Sequence, residues 1–401
     1  MRPLLRTARP LRRAAMACIR MRLSSTGALW TELNELGTRP GAINMGQGFP
    51  DFAGSAVARR AAQEALDVPA LNQYAPINGL PELRDEIRSF YQRRYGASYD
   101  DDEVVVTTSG QEALVASLKA CFTEERRGVV VLEPFYPFLA PAIAAAGGVM
   151  QPARLGDGFV LDAEALDAAA DATTACAVLN TPHNPTGRVF TAAEIDAFAS
   201  FCERANGGIY AVADEVYEHA VFPGAMHRRL ADRMPDRTIS LSSAGKLFSL
   251  TGWRVGWALG PRDLALKVSN AHMALTYSAP TPLQKGIAEA LKAEDGSFDG
   301  VPFIFHRNAE MLTAALTARG LDVFPPAGGY FLVANCHEPA LGFVEKLADE
   351  TGVVCTPLSV FYSTPPLESG DTWVRFTICK SASQVEKACE ALAPGPAWLN
   401  E

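Results

Sequence analysis

Short apolar runs alternate with helical patterns through the middle of the chain, and that alternation leaves few folds open. EVVVTT (103–108) reads as a strand, and the helical QEALVASLKACF (111–122) follows it through Ser109 and Gly110. GVVVLEP (128–134) is a second strand, and an Ala-rich helix runs from Pro137 to Ala146. ACAVLNTP (175–182), IYAVADEVY (209–217), RTISLSS (237–243) and RVGWALG (254–260) are further strands. A helix covers 191–208, with Thr191 and Glu194 as a capping box at its start and Gly207 closing it. The strand runs are continuous rather than alternating, as expected where helices cover both faces of a sheet. This order predicts an α/β domain with a mostly parallel sheet. From residue 300 onward it changes to a helix over 303–319, strands near 329–334 and 372–379, and a terminal helix in SQVEKACEAL. That pattern predicts a smaller α+β domain.

Charge and composition exclude several classes. The 401 residues carry a formal charge of -9, although residues 1–31 hold seven arginines and no acid. The rest is therefore more acidic than the whole, which disfavours nucleic acid and anionic lipid as partners. No apolar run is long enough to span a membrane. The Arg-rich, acid-free leader over 1–25 reads as a mitochondrial transit segment; without that role the protein would be cytoplasmic. The eight cysteines contain no C-x-x-C pair, and Cys121, Cys176, Cys202 and Cys389 fall in apolar or helical patterns that suit reduced thiols. Six scattered histidines lack metal-ligand spacing, so no metal is expected.

Ligands of open α/β sheets bind beyond the carboxyl ends of the strands. Ser109, Gly110, Tyr136, Asn184, Asp214, Tyr217, Ser243 and Lys246 all lie at such ends or in the loops that follow. AGK (244–246) is not a phosphate-binding loop, because Ser240 and Leu247 stand where that motif needs Gly and Ser or Thr. Neither a G-x-G-x-x-G nor a G-x-S-x-G occurs. A lysine able to form a Schiff base, an acid for a ring nitrogen and donors for a phosphate remain, and pyridoxal 5'-phosphate asks for these groups.

The motifs INMGQGFPDF (43–52), LNQYAPINGLPELR (71–84), EPFYP (133–137), NTPHNPTG (180–187), DEVY (214–217), SSAGKLFSLTGWRVGW (242–257) and WVRFTI (373–378) stand in one order. With them the chain resembles the class I aminotransferases of pyridoxal-phosphate fold type I, most closely the kynurenine aminotransferase and cysteine-S-conjugate β-lyase branch. The likeness runs from Trp30 to the C-terminus. It implies an N-terminal arm and part of the small domain over 26–57, a large cofactor-binding domain over 58–298 and a small domain over 299–401.

The resemblance also implies roles. Lys246 would hold the cofactor covalently and later shuttle the α-proton of the substrate. Asp214 would pair with the ring nitrogen, Asn184 and Tyr217 would donate to the ring hydroxyl oxygen, and Tyr136 would stack on the ring. Ser243, Arg254 and the amides of Gly110 and Gln111 would bind the phosphate. Some relatives carry an aromatic where Gln111 stands. Tyr74 matches a residue that reaches the phosphate of a neighbouring subunit, which implies a homodimer with shared active sites.

Gly48 and Arg375 match contacts to the substrate carboxylate. Trp30 and Tyr277 fall where this branch places pocket aromatics, and ALTYSAPT (274–281) offers no arginine for a second carboxylate. The expected reaction is transamination between a neutral, aromatic or sulfur-containing L-amino acid and a 2-oxo acid. β-Lyase activity is the alternative within the family. A cofactor-binding transcription regulator is the alternative from another class, and the acidic body argues against it.

Overall fold

The computed structural model describes residues 26–293, 300–363 and 371–393, so the basic leader lies outside the described residues. Strand β1 (Ile43–Asn44) is followed by β2 (Val104–Thr107), β3 (Gly128–Glu133), β4 (Val149–Arg154), β5 (Thr174–Asn180), β6 (Tyr210–Asp214), β7 (Thr238–Ser243) and β8 (Gly256–Leu259). The last seven form one sheet in the order β2-β8-β7-β6-β5-β3-β4. Both partners of β8 run antiparallel to it, while the β3–β4, β3–β5, β5–β6 and β6–β7 pairs are parallel.

The continuous apolar runs are explained by two covered faces. Val129 and Val131 of β3 join one core cluster with the helices Gly110–Cys121, Leu139–Ala146 and Arg262–Leu275. Val130 and Leu132 point to the opposite face, among Ile195 and Phe198 of the helix Ala192–Arg204. Side chains of period two therefore meet apolar partners at every position. At the β2–β8 edge Val104, Val106, Trp257 and Leu259 pack with the helices Ala56–Leu66, Pro81–Tyr95 and Thr281–Lys292.

Several boundaries differ from the sequence reading. The strand at 209–217 ends at Asp214, because Glu215 and Tyr217 turn the chain by accepting hydrogen bonds from the amides of Glu218 and Ala220. β8 begins at Gly256, and Arg254 lies before it in a left-handed conformation (φ 56°). The capping box of Thr191 and Glu194 is present, but its helix stops at Arg204; Gly207 (φ 74°) sits in a short 3-10 turn beyond. The helix expected from Pro137 starts at Leu139.

The C-terminal part adds β9 (Asp322–Phe324), β10 (Phe331–Asn335), β11 (Val353–Val354), β12 (Thr356–Pro357) and β13 (Trp373–Thr377). They form an antiparallel sheet, β12-β13-β10-β9, while β11 pairs in parallel with β1. The N-terminal arm is thus sewn to the C-terminal part. The helices Val301–Ala318, Ala340–Thr351 and Ala382–Leu392 cover this sheet. Its core also takes in Tyr217, Ala220 and Phe222 from the segment after β6, which carries the small sheet to the carboxyl ends of the large one.

Candidate active site

The strand ends surround a cavity of about 160 Å³. Gly110, Gln111, Tyr136, Asn184, Asp214, Tyr217, Ser243, Lys246 and Arg254 line it, together with Asn180 and Thr251. One end is a set of donors. The helix Gly110–Cys121 opens onto it, and the N-terminal amides of a helix favour an anion. Ser109, just ahead, is held at φ 87° and ψ 162°, a conformation that L-residues rarely adopt. Its amide donates to the Thr107 carbonyl, and the Thr107 hydroxyl donates to its carbonyl. Space at this end is tight: a Cβ on Gly110 would come within 3.3 Å of Val216, and one on Gly245 within 3.3 Å of the Ser243 hydroxyl. Arg254 donates to the Thr251 carbonyl (3.0 Å) and faces solvent as well as the cavity.

Lys246 sits in the short helix Ala244–Leu247, immediately after β7. Its ammonium donates to the Gly48 carbonyl (3.2 Å) and lies 5.1 Å from the Tyr330 ring centroid and 5.5 Å from that of Tyr217. Burial lowers its pKa, with the neighbouring Arg375 and Arg254 acting in the same direction and Asp214 against them. Burial pushes the Asp214 carboxyl up to about 6, despite the Val216 amide and the charge of Lys246. Tyr136 is raised to about 12, and Tyr217 is raised well above its ordinary value, in both cases by desolvation first.

Asn184 links the cavity to β13. Its amide oxygen accepts from Arg375 Nη1 (2.8 Å), while Arg375 Nη2 donates to the Gly46 carbonyl (2.7 Å). The guanidinium is buried between Phe331 and Phe361, whose ring centroids lie 3.9 and 4.6 Å from its central carbon. Desolvation brings its pKa down to about 9. Its Nε has no hydrogen-bond partner among the described residues. A buried fork with an unused donor suits a carboxylate, which it can grip in bidentate fashion. Gly48 leaves room for the Phe331 ring beside it, since a Cβ there would stand 2.2 Å from that ring and force a neighbour to move.

The remaining expected residues lie elsewhere. Trp30 packs edge-on against Phe138 (5.7 Å between centroids), and Phe138 leans on Tyr136 (5.4 Å). Tyr74 and Tyr277 pack edge to face at 5.2 Å; neither lines this chain's own cavity, and Tyr74 is 84% exposed. Phe138 and Tyr330 were not singled out from the sequence. Tyr330 donates its hydroxyl to the Lys246 carbonyl (2.7 Å), and no local pattern marks that contact across 84 positions.

Behind the strand ends Glu215, Glu218 and His227 bring their side-chain donors within 4.8 Å of one another, although no sequence spacing announced it. Arg229 already supplies a cation there, 3.8 Å from Glu215, and Tyr91 and Ser242 each donate to Glu218 at 2.7 Å. The cluster reads as a structural ion network.

Comparison with known proteins agrees with this geometry. The family model for aminotransferase class I and II matches residues 40–392. A probable N-succinyldiaminopimelate aminotransferase of Mycobacterium tuberculosis is 37% identical, over 94% of this chain and 98% of its own length. Human kynurenine–oxoglutarate transaminase 1 is 31% identical, over 90% of this chain and 94% of its own. The solved structure of an Escherichia coli protein with a methionine aminotransferase function superposes with a TM-score of 0.85 at 31% identity, covering 91% of this chain and 97% of that one.

Proposed function

The chain belongs to the class I and II aminotransferases, and on that premise we propose that it moves the amino group of a neutral, aromatic or sulfur-containing L-amino acid, kynurenine-like in shape, to a 2-oxo acid. Pyridoxal phosphate is the cofactor, and the donor set of the cavity fits it: anion-binding amides, a buried carboxyl and a lysine converge there. When bound, it supplies an electron sink for the carbanion left as an amino acid loses its α-proton. The amide of Gly110 at the helix start, with Gln111, Ser243 and Arg254, would hold its phosphate. Asp214 would hold its ring nitrogen, Asn184 and Tyr217 its hydroxyl oxygen, and Tyr136 its ring face.

Lys246 would anchor the cofactor through Nζ and then act as the base. Desolvation lowers the pKa of its amine, so more of it is unprotonated and able to take the α-proton at neutral pH. Arg375 would hold the donor carboxylate against the Gly48 backbone, fixing which bond of the α-carbon faces Lys246. Orientation of that kind is worth orders of magnitude in rate.

The observation that carries the donor class is the disposition of charge. Among the described residues lining the cavity the cations are Lys246 and Arg254, both of which the cofactor would engage, and the expected side-chain contacts Trp30 and Tyr277 pack against aromatic rings rather than a cation. The aromatic run Trp30–Phe138–Tyr136 instead offers an apolar wall. The 37% identity to an N-succinyldiaminopimelate aminotransferase favours a second reading, in which that acidic amine is the donor. Purified enzyme assayed with methionine, phenylalanine, kynurenine, glutamine, aspartate and N-succinyldiaminopimelate against several 2-oxo acids separates the two. Our reading expects aspartate and the succinylated donor to be at least ~10²-fold poorer in kcat/KM, the penalty for leaving a second carboxylate unpaired. It also expects Trp30→Ala to impair aromatic donors more than alanine. A best rate with the succinylated donor would replace it. Pyruvate and ammonia released from a cysteine conjugate would register β-lyase activity in the same assay.

We further propose a homodimer, for which the exposed Tyr74 set against Tyr277 and away from its own cavity is the support. Mitochondrial import through the leader is also proposed, and a fluorescent fusion of residues 1–25 tests it; a diffuse cytosolic signal would refute it.

A further inference from the structure

The loop over 45–51, which carries Gly48, is fastened to β13 and its continuation at four of its seven residues. The Thr377 amide donates to the Met45 carbonyl (2.6 Å), Arg375 Nη2 to that of Gly46 (2.7 Å), and the Ser381 amide to the Asp51 carboxylate (2.6 Å). Between them stands Lys380. Its Nζ donates to the Phe49 carbonyl (2.7 Å) and lies 3.8 Å from the centroid of the Phe49 ring. Lys380 is only 3% exposed, and no carboxylate of the described residues lies within ion-pair distance. Its own backbone is pinned as well, because Asn308 Nδ2 donates to the Lys380 carbonyl at 2.8 Å.

The Asp51 carboxylate acts on this ammonium only from beyond ion-pair distance and desolvation outweighs it, so an apolar side chain of the same length would fill the space at less cost. What the ammonium adds is a fixed grip on one carbonyl, directly after Gly48. Gly48 in turn has no slack, because the Phe331 ring stands where its Cβ would be and that ring stacks on the Arg375 guanidinium.

We infer that Lys380 is a positioning residue for the donor-carboxylate pocket: gripping the Phe49 carbonyl, it holds the Gly48 backbone in register with Arg375 and keeps the Phe331 ring pressed on the guanidinium. The inference rests on the reading that Arg375 receives the donor carboxylate.

Holoenzyme variants test it with an unreactive ligand, 3-phenylpropanoate, and its uncharged amide as control. Lys380→Met should weaken 3-phenylpropanoate about tenfold, the loss of one charge-assisted hydrogen bond, and leave the amide little changed. It should raise KM for the amino donor more than it lowers kcat, and speed hydrogen exchange in a peptide spanning 45–52. Lys380→Arg, which keeps the charge and a donor, should recover most of the affinity. A folded Lys380→Met enzyme with wild-type affinity for 3-phenylpropanoate overturns the inference, whatever its melting temperature. Arg375→Lys separates the two readings. If it weakens the ligand and Lys380→Met does not, only the role of Lys380 falls. If Arg375→Lys leaves affinity intact, the carboxylate reading falls and takes this one with it. Should Lys380→Met not fold, Lys380→Gln removes the charge and draws the donor back from the Phe49 carbonyl; a loss of about threefold is expected, and unchanged affinity overturns the inference.

Discussion

Replacing Gly48 by alanine adds one methyl group at the point where the loop, the Phe331 ring and the Arg375 guanidinium are stacked. The new Cβ would stand 2.2 Å from Phe331 Cζ and 2.5 Å from Cε1, whereas ordinary contact begins near 3.4 Å. Either the ring or the loop must therefore retreat by roughly 1 Å, a displacement of the size that lowers rates about 10²-fold when it affects a positioned group. The ring cannot retreat alone, because Arg375 lies 3.9 Å beyond it and Phe361 closes the far side of the guanidinium at 4.6 Å. The loop cannot retreat alone either, since the carbonyls of Gly46 and Phe49 accept hydrogen bonds from Arg375 and Lys380. Overpacking of this kind also costs about 1–3 kcal/mol of stability. Gly48→Ala should thus fold, melt earlier and lose about 10²-fold in kcat/KM, read as the single-turnover rate of the half-reaction with a neutral donor. Phe331→Leu removes the clashing ring atoms, so the double variant should be less impaired than the sum of the two single effects. Wild-type turnover in Gly48→Ala, or strict additivity in the double variant, would refute the stacked arrangement.

Lys246→Ala should leave a folded protein that binds the cofactor without covalent attachment. Its turnover should fall by more than the ~10²–10⁴-fold expected for a general base alone, because the anchor is lost too; absorbance and borohydride trapping check the attachment. Asp214 predicts a pH effect on the cofactor-stripped protein. Its folded pKa of about 6 exceeds its ordinary value of 3.8, so the folded state binds the proton more tightly, and this stabilisation is complete below 3.8 and lost as pH rises through 6. The ceiling is about 3 kcal/mol. Urea unfolding at pH 5 and pH 7.5 should show the wild type losing stability relative to Asp214→Asn; parallel curves would refute the shift. Tyr74→Ala should impair turnover at least several-fold. Mixed with Lys246→Ala and refolded, it should regain activity, because one site of the hybrid dimer has both groups. No recovery, or a monomer by sedimentation, would count against sharing across subunits.

The parts of this protein that could be read before folding are those whose cause is local. Val129 to Leu132 form a continuous apolar run because both faces of β3 are covered, and such a run is visible in the residues themselves. Thr191 and Glu194 cap a helix across three positions, and Asp214 and Lys246 stand at strand ends because apolar runs stop beside them. The two-residue strands β1, β11 and β12 left no comparable trace, being too short for any periodicity. β8 could be seen as a strand, yet its direction depends on partners far away in the chain. The contacts that shape the pocket were hidden for the same reason. Arg375 meets Asn184 across 191 positions, Lys380 meets Phe49 across 331, and Trp30 meets Phe138 only once the N-terminal arm has folded back. Each is an ordinary residue in its own neighbourhood. Close packing among distant segments gives it a partner, and for Arg375 and Lys380 desolvation adds a lowered pKa; both arise only when the small sheet closes over the strand ends of the large one.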